Sequence, residues 1–292
     1  MPVSKYQGSN GIFDVSECLS SECKEHYDSQ GWILIRNFFD LDSEIKPVCR
    51  EVNNLIRLKL EELNLPIQVF DDLCAINTDE FIRVCEADRE KGGEIYRATR
   101  HLPSLFYLFT RPQNINFARY LMNTEFINLI PYLPIRIDIR GEEKYLFDWH
   151  QDYPYIQGSP DGVIMWMPLM DLPDGYGGIK LIPESHKEGI RKIKLLDTQN
   201  KNKNGAHTIA IADTDKFDDL DSYMLDVGLG DIVVFNTLLV HKSVPMTQGK
   251  VRWSTQLRYA NFCNKIATSK GWPGGMIEGS YFENIHPEHL IE

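Results

Sequence analysis

The spacing of apolar residues predicts helices in the first half of the chain. From Ser43 to about Asn64, apolar residues recur every three or four positions, which is the period of an amphipathic helix. A shorter helix is expected near Ser20–Ser29, and two more helical patterns lie within residues 96–126. Residues 65–95 open with proline and close with a Gly-Gly pair, so we expect loop and short helix there.

The second half predicts short strands. In Ile135–Arg140 apolar and polar residues alternate strictly, as in a strand with one buried face, and turn residues separate the runs that follow. The further predicted strands, the first of which lies among the helices, are Gly31–Phe39, Leu146–His150, Val163–Leu169, Ile179–Ile182, Tyr223–Leu225, Asp231–Asn236 and Arg252–Asn261. This order of elements predicts a mainly β fold, a sandwich or barrel with flanking helices packed outside one sheet.

No repeat or linker divides the chain, so a single domain over residues 1–292 is expected. Its parts are an N-terminal strand and mainly helical part (1–130), a β core (131–262) and a C-terminal tail (263–292). Two polar segments, Asp197–His207 and Asp213–Asp221, interrupt the strands and are expected to be solvated loops; a lid over a pocket is the alternative.

Composition narrows the class of protein. The 292 residues carry a formal net charge of -11, which disfavours nucleic-acid binding because phosphates require clustered Lys and Arg. The six cysteines have no C-x-x-C spacing, as expected for reduced thiols. The N-terminus has no signal-peptide pattern, and no stretch approaches the roughly 18 apolar residues of a membrane span. A cytoplasmic protein that acts on a small molecule, away from membranes, is predicted, with its oligomeric state open.

Three residues suggest a metal centre. On a strand, residues i and i+2 project from the same face, so His150 and Asp152 can reach one ion. His241 follows the predicted buried strand Asp231–Asn236 closely. Two histidines and one carboxylate leave three positions of an octahedral ion open, which suits a bidentate co-substrate and dioxygen. A His-x-Asp pair alone is common in an Asp-rich chain with 8 histidines, so the distant histidine carries the prediction.

Arg252 is the candidate for a co-substrate contact. It opens a strand eleven residues after His241, and a hairpin would bring the two together. An arginine in an apolar barrel needs an anionic partner, because an unpaired buried charge is costly. The far carboxylate of 2-oxoglutarate is such a partner, which a guanidinium can bind through two hydrogen bonds.

Four motifs in order resemble the phytanoyl-CoA dioxygenase (PhyH-like) family of 2-oxoglutarate oxygenases, over roughly residues 25 to 262. The motifs are the Gly31–Phe39 strand, Trp-His-Gln-Asp at 149–152, the glycine-led Gly177–Gly189 segment, and His241 with Ser243 and Arg252. Glu184 stands where the family usually has glycine, a loop variation expected to have little bearing on catalysis.

The resemblance implies a double-stranded β-helix (jelly-roll or cupin-like) core. It implies iron(II) held by His150, Asp152 and His241. Arg252 would bind 2-oxoglutarate with help from Ser243, and Trp166 would line the co-substrate pocket. With dioxygen, such an enzyme hydroxylates its substrate and releases succinate and CO2; Asp152 favours hydroxylation over halogenation, for which some relatives carry Ala or Gly at that position.

Residues near the first ligand motif are candidates for substrate contact. The candidates are Tyr153, Tyr155, Gln157 and Arg258. Their polarity suits a small polar metabolite or biosynthetic intermediate, although Arg258 could equally pair with a carboxylate of the protein. Three residues of the preceding strand are expected to face solvent, with the pocket as the alternative, namely Arg136, Asp138 and Arg140. His286 and His289 are expected on the surface.

Two alternatives compete with this function. The first is a cupin-type metalloenzyme that does not use 2-oxoglutarate, and Arg252 at its spacing argues against it. The second is a non-catalytic small-molecule-binding protein on the same barrel, and the intact His-Asp-His set argues against that.

Overall fold

The fold is known from a computed structural model that describes residues 5–67, 75–130, 135–196, 209–212, 214–274 and 281–291. The helices are α1 (Ser21–Gln30), α2 (Lys46–Glu62), α3 (Thr78–Ala87), α4 (Arg89–Ala98), α5 (Pro103–Thr110), α6 (Pro112–Met122), α7 (Tyr153–Ile156), α8 (Lys265–Ser269) and α9 (Phe282–Ile285). No helix of the described residues is both long and apolar enough to cross a membrane.

Residues 65–95, for which loop and short helix were expected, contain α3 and most of α4. The side chain of Asn77 caps α3 and that of Asp88 caps α4, each accepting a backbone N–H of the first turn. The Gly-Gly pair does not end α4. A Cβ on Gly92 would lie 2.4 Å from the sulfur of Cys85, so this glycine lets α4 pack closely against α3.

The strands form two main sheets. They are β1 (Ile12–Asp14), β2 (Trp32–Arg36), β3 (Ile127–Leu129), β4 (Ile135–Ile139), β5 (Val163–Pro168), β6 (Ile179–Leu181), β7 (Ile193–Leu195), β8 (Ile209–Ile211), β9 (Tyr223–Met224), β10 (Ile232–Asn236), β11 (His241–Ser243) and β12 (Val251–Asn261). The major sheet has the order β1-β2-β10-β5-β12-β3, with β4 also paired to β12, and the minor sheet has the order β11-β6-β9. Strands β7 and β8 pair separately.

Alternation along the strands places the helices on one face of the major sheet. On β5, Val163, Met165 and Met167 join the core shared with the helices. Ile164 and Trp166 of the same strand pack toward Ile179 and Leu181 of the minor sheet. The prediction of a β core with helices outside one sheet is therefore confirmed.

The predicted strand Leu146–His150 is wrong. Glu143–Tyr145 form a 3-10 turn, and His150 makes an isolated antiparallel bridge to His241 instead of belonging to a longer strand. The segment therefore crosses between the sheets, and one ligand candidate is fixed at the point where it meets β11.

The backbone conformation of Glu184 explains why the family usually has glycine at this position. Its φ is 64°, in the left-handed region where a side chain is disfavoured. Two contacts offset this cost: Gln30 donates a hydrogen bond to the Glu184 carboxylate at 2.9 Å, and Lys187 lies 3.3 Å from it. The departure from the family pattern therefore changes a turn and leaves the ligand residues untouched.

Candidate metal and co-substrate site

Backbone pairing holds the two histidines side by side. The N–H of His150 donates to the carbonyl of His241 at 2.9 Å, and the N–H of His241 donates back at 3.0 Å. Asp152 precedes helix α7, with helical φ and ψ of −71° and −31°. The chain thus turns after His150 and brings the carboxylate to the imidazoles by starting a helix. The expected i, i+2 arrangement on one strand is wrong, although the three residues do meet.

The three side chains leave ligand atoms facing one another. His150 Nε2 lies 3.5 Å from Asp152 Oδ1, and His241 Nε2 lies 3.9 Å from the same oxygen. Each Nδ1 lies within hydrogen-bond distance of a backbone carbonyl, that of Asp148 at 2.8 Å for His150 and that of Leu239 at 2.9 Å for His241. Such bonds fix the tautomer in which Nε2 carries a lone pair for a metal.

Two buried atoms of this group, His241 Nε2 and Asp152 Oδ2, lack a hydrogen-bond partner among the described residues. Buried polar atoms are nearly always satisfied, so two unsatisfied atoms in one cluster fit a bound cation. All three ligand atoms lie within 4.8 Å of one another and all three residues are buried. Two histidines and one carboxylate are the donor set of mononuclear non-haem iron(II).

The charges suit metal binding. Burial, together with the neighbouring His150, lowers the pKa of His241 to about 3, so its imidazole is neutral near pH 7. Burial opposes ionisation of Asp152, but its interactions with His150, His241 and Arg258 outweigh it, and the net pKa of Asp152 is lowered. A neutral imidazole and an ionised carboxylate are the states in which these side chains bind metals.

Residues beside the ligands hold them in place. The ring of Phe147 stacks on His150 at 4.7 Å. Trp149 donates from Nε1 to Asp218 at 2.8 Å and packs against the buried Phe217. Most described residues of Asp213–Asp221 are exposed, as expected of a solvated loop, but Phe217 is buried. Residues 197–208 and 213 lie outside the described residues.

A cavity of about 1010 Å³ extends from the three ligands. Its wall includes one face of β12: the alternate residues Arg252, Ser254, Gln256 and Arg258 line the cavity, whereas Val251, Trp253, Leu257 and Tyr259 belong to the core on the other face. Ser243, on the same strand as His241, also lines it. Trp166 does too, paired with Gln256 across the sheet.

Arg252 already has an anionic partner within the protein. Its Nε and Nη2 donate to one oxygen of Asp138 at 3.1 and 2.8 Å. Its Nη1 donates to the carbonyls of Tyr176 and Val244 at 3.2 and 2.7 Å. The premise that this buried arginine requires a bound anion is therefore wrong, although it does line the cavity. Hydrogen bonds to described residues thus occupy every N–H group of Arg252 except one on Nη2.

The expectation that Arg136 and Asp138 face solvent is also wrong. Both line the cavity, and Arg136 donates to the second oxygen of Asp138 at 2.7 Å. Burial opposes ionisation of Asp138, but the charges of Arg136 and Arg252 prevail and its pKa is lowered. Arg140 is exposed as expected. Sequence reasoning missed this group, although strand alternation placed Arg136 and Asp138 on one face.

The substrate-pocket candidates separate into two sets. Tyr155, Gln157 and Arg258 line the cavity with the ligands, whereas Tyr153 does not. The Tyr153 side chain is buried away from the cavity, where its hydroxyl lies 3.0 Å from Nε2 of His286. Tyr153 is therefore corrected from a pocket residue to a packing residue.

The expectation of surface exposure is wrong for His286. This residue is buried and stacks on Phe282 at 4.8 Å. It anchors the described C-terminal segment 281–291, in which Tyr281, Phe282 and Glu283 line the cavity. The tail thus contributes to the cavity wall, which no pattern in its sequence indicated.

A buried His-Asp-His group in a cavity between two sheets is typical of non-haem iron(II) oxygenases. Residues 27–253 match the family model described as Phytanoyl-CoA dioxygenase (PhyH), and the chain belongs to this family. It is 31% identical over 242 residues to a 1-deoxypentalenic acid 11-beta-hydroxylase of Streptomyces arenae, covering 83% of this chain and 79% of that protein. It is 25% identical to a phytanoyl-CoA dioxygenase domain-containing protein 1 homolog of Dictyostelium discoideum, covering 85% and 93%.

Solved structures agree on the fold. One is EctD from S. alaskensis, crystallised with 2-oxoglutarate and 5-hydroxyectoine, with a TM-score of 0.55, 16% identity and coverage of 90% of this chain and 82% of that one. Another is the non-heme alpha ketoglutarate dependent carbocyclase SnoK from nogalamycin biosynthesis, with a TM-score of 0.51, 16% identity and coverage of 83% and 84%. The double-stranded β-helix prediction is confirmed, and the protein is an iron- and 2-oxoglutarate-dependent oxygenase.

Proposed function

We propose that this oxygenase hydroxylates a small polar metabolite or biosynthetic intermediate and releases succinate and CO2. We assign the iron to His150, Asp152 and His241. The observation that carries this assignment is that two buried atoms of the same cluster, His241 Nε2 and Asp152 Oδ2, are unsatisfied by the described residues. Hydroxylation is favoured because Asp152 occupies the third ligand position, and because the Streptomyces arenae relative is named a hydroxylase.

Iron(II), when bound, supplies the oxidative decarboxylation of 2-oxoglutarate by dioxygen and the transfer of oxygen to a C–H bond. The protein supplies geometry and a dry surrounding. The carbonyls of Asp148 and Leu239 hold the Nδ1 protons, so the two imidazoles keep their orientation. Phe147 and Phe235 pack against the rings of His150 and His241 and exclude water from that side.

We assign the far carboxylate of 2-oxoglutarate to Arg252. The Arg136–Asp138–Arg252 group carries one net positive charge, because one carboxylate is shared by two guanidinium groups. The remaining N–H of Arg252 and the hydroxyl of Ser243 are available to a carboxylate, and Trp166 forms the wall beside them. Asp138 then acts as the residue that positions Arg252.

We assign the substrate to the part of the cavity lined by Tyr155 and Gln157. The cavity volume of about 1010 Å³ lies at the upper end of small-molecule pockets, so a compact metabolite fits together with the co-substrate.

The shared core of N-terminal helices and strands supports a single domain over residues 1–292. The free thiols of Cys18 and Cys23 support a reducing, cytoplasmic location.

Anaerobic titration with iron(II) tests the ligand assignment. We expect His150→Ala to lose tight iron binding by equilibrium dialysis, because one of three protein ligands is gone. His101→Ala is the matched control, since His101 is exposed and should leave iron binding unchanged. Equal iron affinity in His150→Ala and the wild type would refute the assignment.

The co-substrate assignment has its own test. With iron loaded under nitrogen, 2-oxoglutarate is titrated by the visible charge-transfer band of its iron(II) chelate. Arg252→Gln should keep iron and weaken 2-oxoglutarate binding at least tenfold, because a charge-assisted contact is lost. Arg140→Gln, a change at an exposed arginine directly after β4, should bind 2-oxoglutarate normally. An unchanged dissociation constant in Arg252→Gln would reject the role of Arg252.

A further inference from the structure

Three side chains near the C-terminus form a second cluster of metal-ligating groups. One ligand atom from each of His286, Glu288 and His289 lies within 4.8 Å of the other two. Among the described residues, the only other such cluster is the one assigned to iron. The donor set is again two imidazoles and one carboxylate, but no step of the proposed reaction uses these three residues.

His286 is held in an orientation that suits a metal ligand. Its side chain is 1% exposed, and its Nδ1 lies 3.2 Å from Oε1 of Glu288. Its Nε2 lies 3.0 Å from the hydroxyl of Tyr153. With Nδ1 bound to a metal, Nε2 carries the ring proton and donates it to that hydroxyl. A hydrogen bond of this kind at the second ring nitrogen fixes the tautomer and the orientation of a ligating imidazole.

His289 contributes an unsatisfied buried atom to the cluster. Its ring interacts with the backbone of Ile190, but its Nδ1 is buried and has no hydrogen-bond partner among the described residues. A buried nitrogen without a partner is uncommon in folded proteins. Because this one belongs to a residue grouped with two other metal-ligating side chains, a bound cation accounts for it.

Two lysines beside the cluster oppose a cation there. Nζ of Lys270 lies 3.3 Å from Oε1 of Glu288, and Lys192 donates a hydrogen bond to the backbone carbonyl of Glu288. The side chains of Lys270 and Glu288 are 32% and 52% exposed, and such a surface ion pair contributes little to stability. A metal ion at Glu288 therefore competes with a weak ion pair that is easily replaced.

The cluster lies where the C-terminal segment joins the rest of the protein. Residues 281–283, which precede it, line the cavity. Ile291, which follows it, donates its backbone N–H to the carbonyl of Ile193 in β7 at 2.9 Å. Tyr153, the partner of the first histidine, directly follows the iron ligand Asp152 in the chain. An ion at this cluster would therefore hold one wall of the cavity and the first turn of α7 together.

We propose that His286, Glu288 and His289 bind a zinc ion, with water as the fourth ligand, and that this ion fastens the C-terminal segment to the cavity wall. Zinc fits the cluster because it binds imidazole nitrogen and carboxylate oxygen, takes four ligands and has no geometric preference from its d-electrons. This inference does not depend on the reaction that the iron catalyses.

Zinc binding by a variant without the iron site tests this inference. Metal-free His150→Ala is dialysed against zinc, and the bound metal is counted by elemental analysis. We expect one equivalent with a dissociation constant of about 1 μM or tighter. Zinc should also raise the Tm of this variant, because the ion binds only the folded protein. Wild-type protein should bind two equivalents, since zinc also fills the His-Asp-His group.

Second substitutions in the His150→Ala background identify the ligands. His289→Ala should weaken zinc binding about tenfold or more, because a ligand is lost, and Tyr153→Phe about tenfold, because Nε2 of His286 loses its acceptor. Lys270→Gln should strengthen zinc binding about threefold, because a competing positive charge is removed. His101→Ala is the matched control, since this histidine is exposed and should leave zinc binding unchanged.

Circular dichroism checks that each variant folds, and Asp152→Ala provides a second background without the iron site. Three results would overturn the inference. The first is that neither His150→Ala nor Asp152→Ala binds zinc. The second is zinc binding that His289→Ala does not weaken, and the third is zinc binding that Lys270→Gln weakens.

Discussion

Replacing Asp138 by asparagine should destabilise the protein strongly. The carboxylate of Asp138 is buried and accepts hydrogen bonds from Arg136 at 2.7 Å and from Arg252 at 2.8 and 3.1 Å. An asparagine side chain has nearly the same shape but no charge, so both guanidinium groups would stay in the cavity wall without their counter-ion. The substitution therefore isolates the electrostatic role of one residue from its packing.

The size of the effect follows from the burial of the partners. Removing one partner of a buried ion pair costs about 3–5 kcal/mol. The side chain of Arg136 is 19% exposed, whereas that of Arg252 is 3% exposed. In the variant, water would therefore partly solvate the charge of Arg136, whereas the charge of Arg252 would stay buried. We therefore expect a loss of about 3 kcal/mol in the free energy of unfolding, or about 5 °C in Tm for a chain of this size.

The effect should depend on pH in a defined direction. The pKa of Asp138 is lowered from its ordinary value of 3.8, so the folded state holds the ionised form more strongly than the unfolded state. This contribution is complete above the unfolded pKa and is lost as pH falls through the folded pKa. The stability difference between wild type and Asp138→Asn should be constant from about pH 8 to 5 and shrink below about pH 4.

Urea unfolding of the metal-free protein, followed by circular dichroism, measures this difference. Asp79→Asn is the control, because Asp79 pairs with Lys250 on the surface, with side-chain exposures of 74% and 58%, and should cost less than about 1 kcal/mol. In Asp138→Asn, iron-loaded protein should also bind 2-oxoglutarate at least tenfold more tightly, because the co-substrate replaces the missing counter-ion. A loss below about 1 kcal/mol, or a difference that persists unchanged at about pH 3, would refute the reasoning.

Two further predictions concern the scaffold. Tyr153→Phe removes the hydroxyl beside His286 and should lower the free energy of unfolding by about 1–2 kcal/mol with unchanged iron affinity; weaker iron binding would contradict its assignment to packing. Gly177→Ala would place a Cβ 2.4 Å from the carbonyl of Val244 and 2.8 Å from Nη1 of Arg252, so we expect both lower Tm and weaker 2-oxoglutarate binding. Gly141→Ala shares the positive φ but meets no atom of the described residues within 4 Å, and should lower Tm less and leave 2-oxoglutarate binding unchanged.

Local patterns predicted most of the elements, because the period of apolar residues depends on neighbours in sequence. The alternation at Ile135–Arg140 corresponds to β4, and the three- and four-residue spacing after Ser43 corresponds to α2. The failures have local causes too. A Gly-Gly pair suggested the end of a helical region, although Gly92 serves close packing inside α4, and the segment before His150 has strand-forming residues but forms only the isolated bridge to His241.

The sequence by itself determined the identity and order of the candidate ligands. His150, Asp152 and His241 are chemically recognisable, and their family motifs occur in order. The tertiary structure decided how they meet: a backbone bridge joins the histidines, and the start of a helix turns the carboxylate toward them. If His150 and Asp152 had lain on one regular strand, as the sequence predicted, neither the bridge nor the start of a helix would have been needed to bring them to one ion.

Charge balance was decided only by the tertiary structure. Arg252 and Asp138 are 114 positions apart, and nothing local to either residue shows that strand pairing brings them together. The sequence therefore identified a buried arginine but assigned its counter-ion to a bound molecule, whereas the fold provides one from β4. The physical reason is that Coulomb interactions depend on distance in space and on burial, and a linear pattern records neither for residues on different strands.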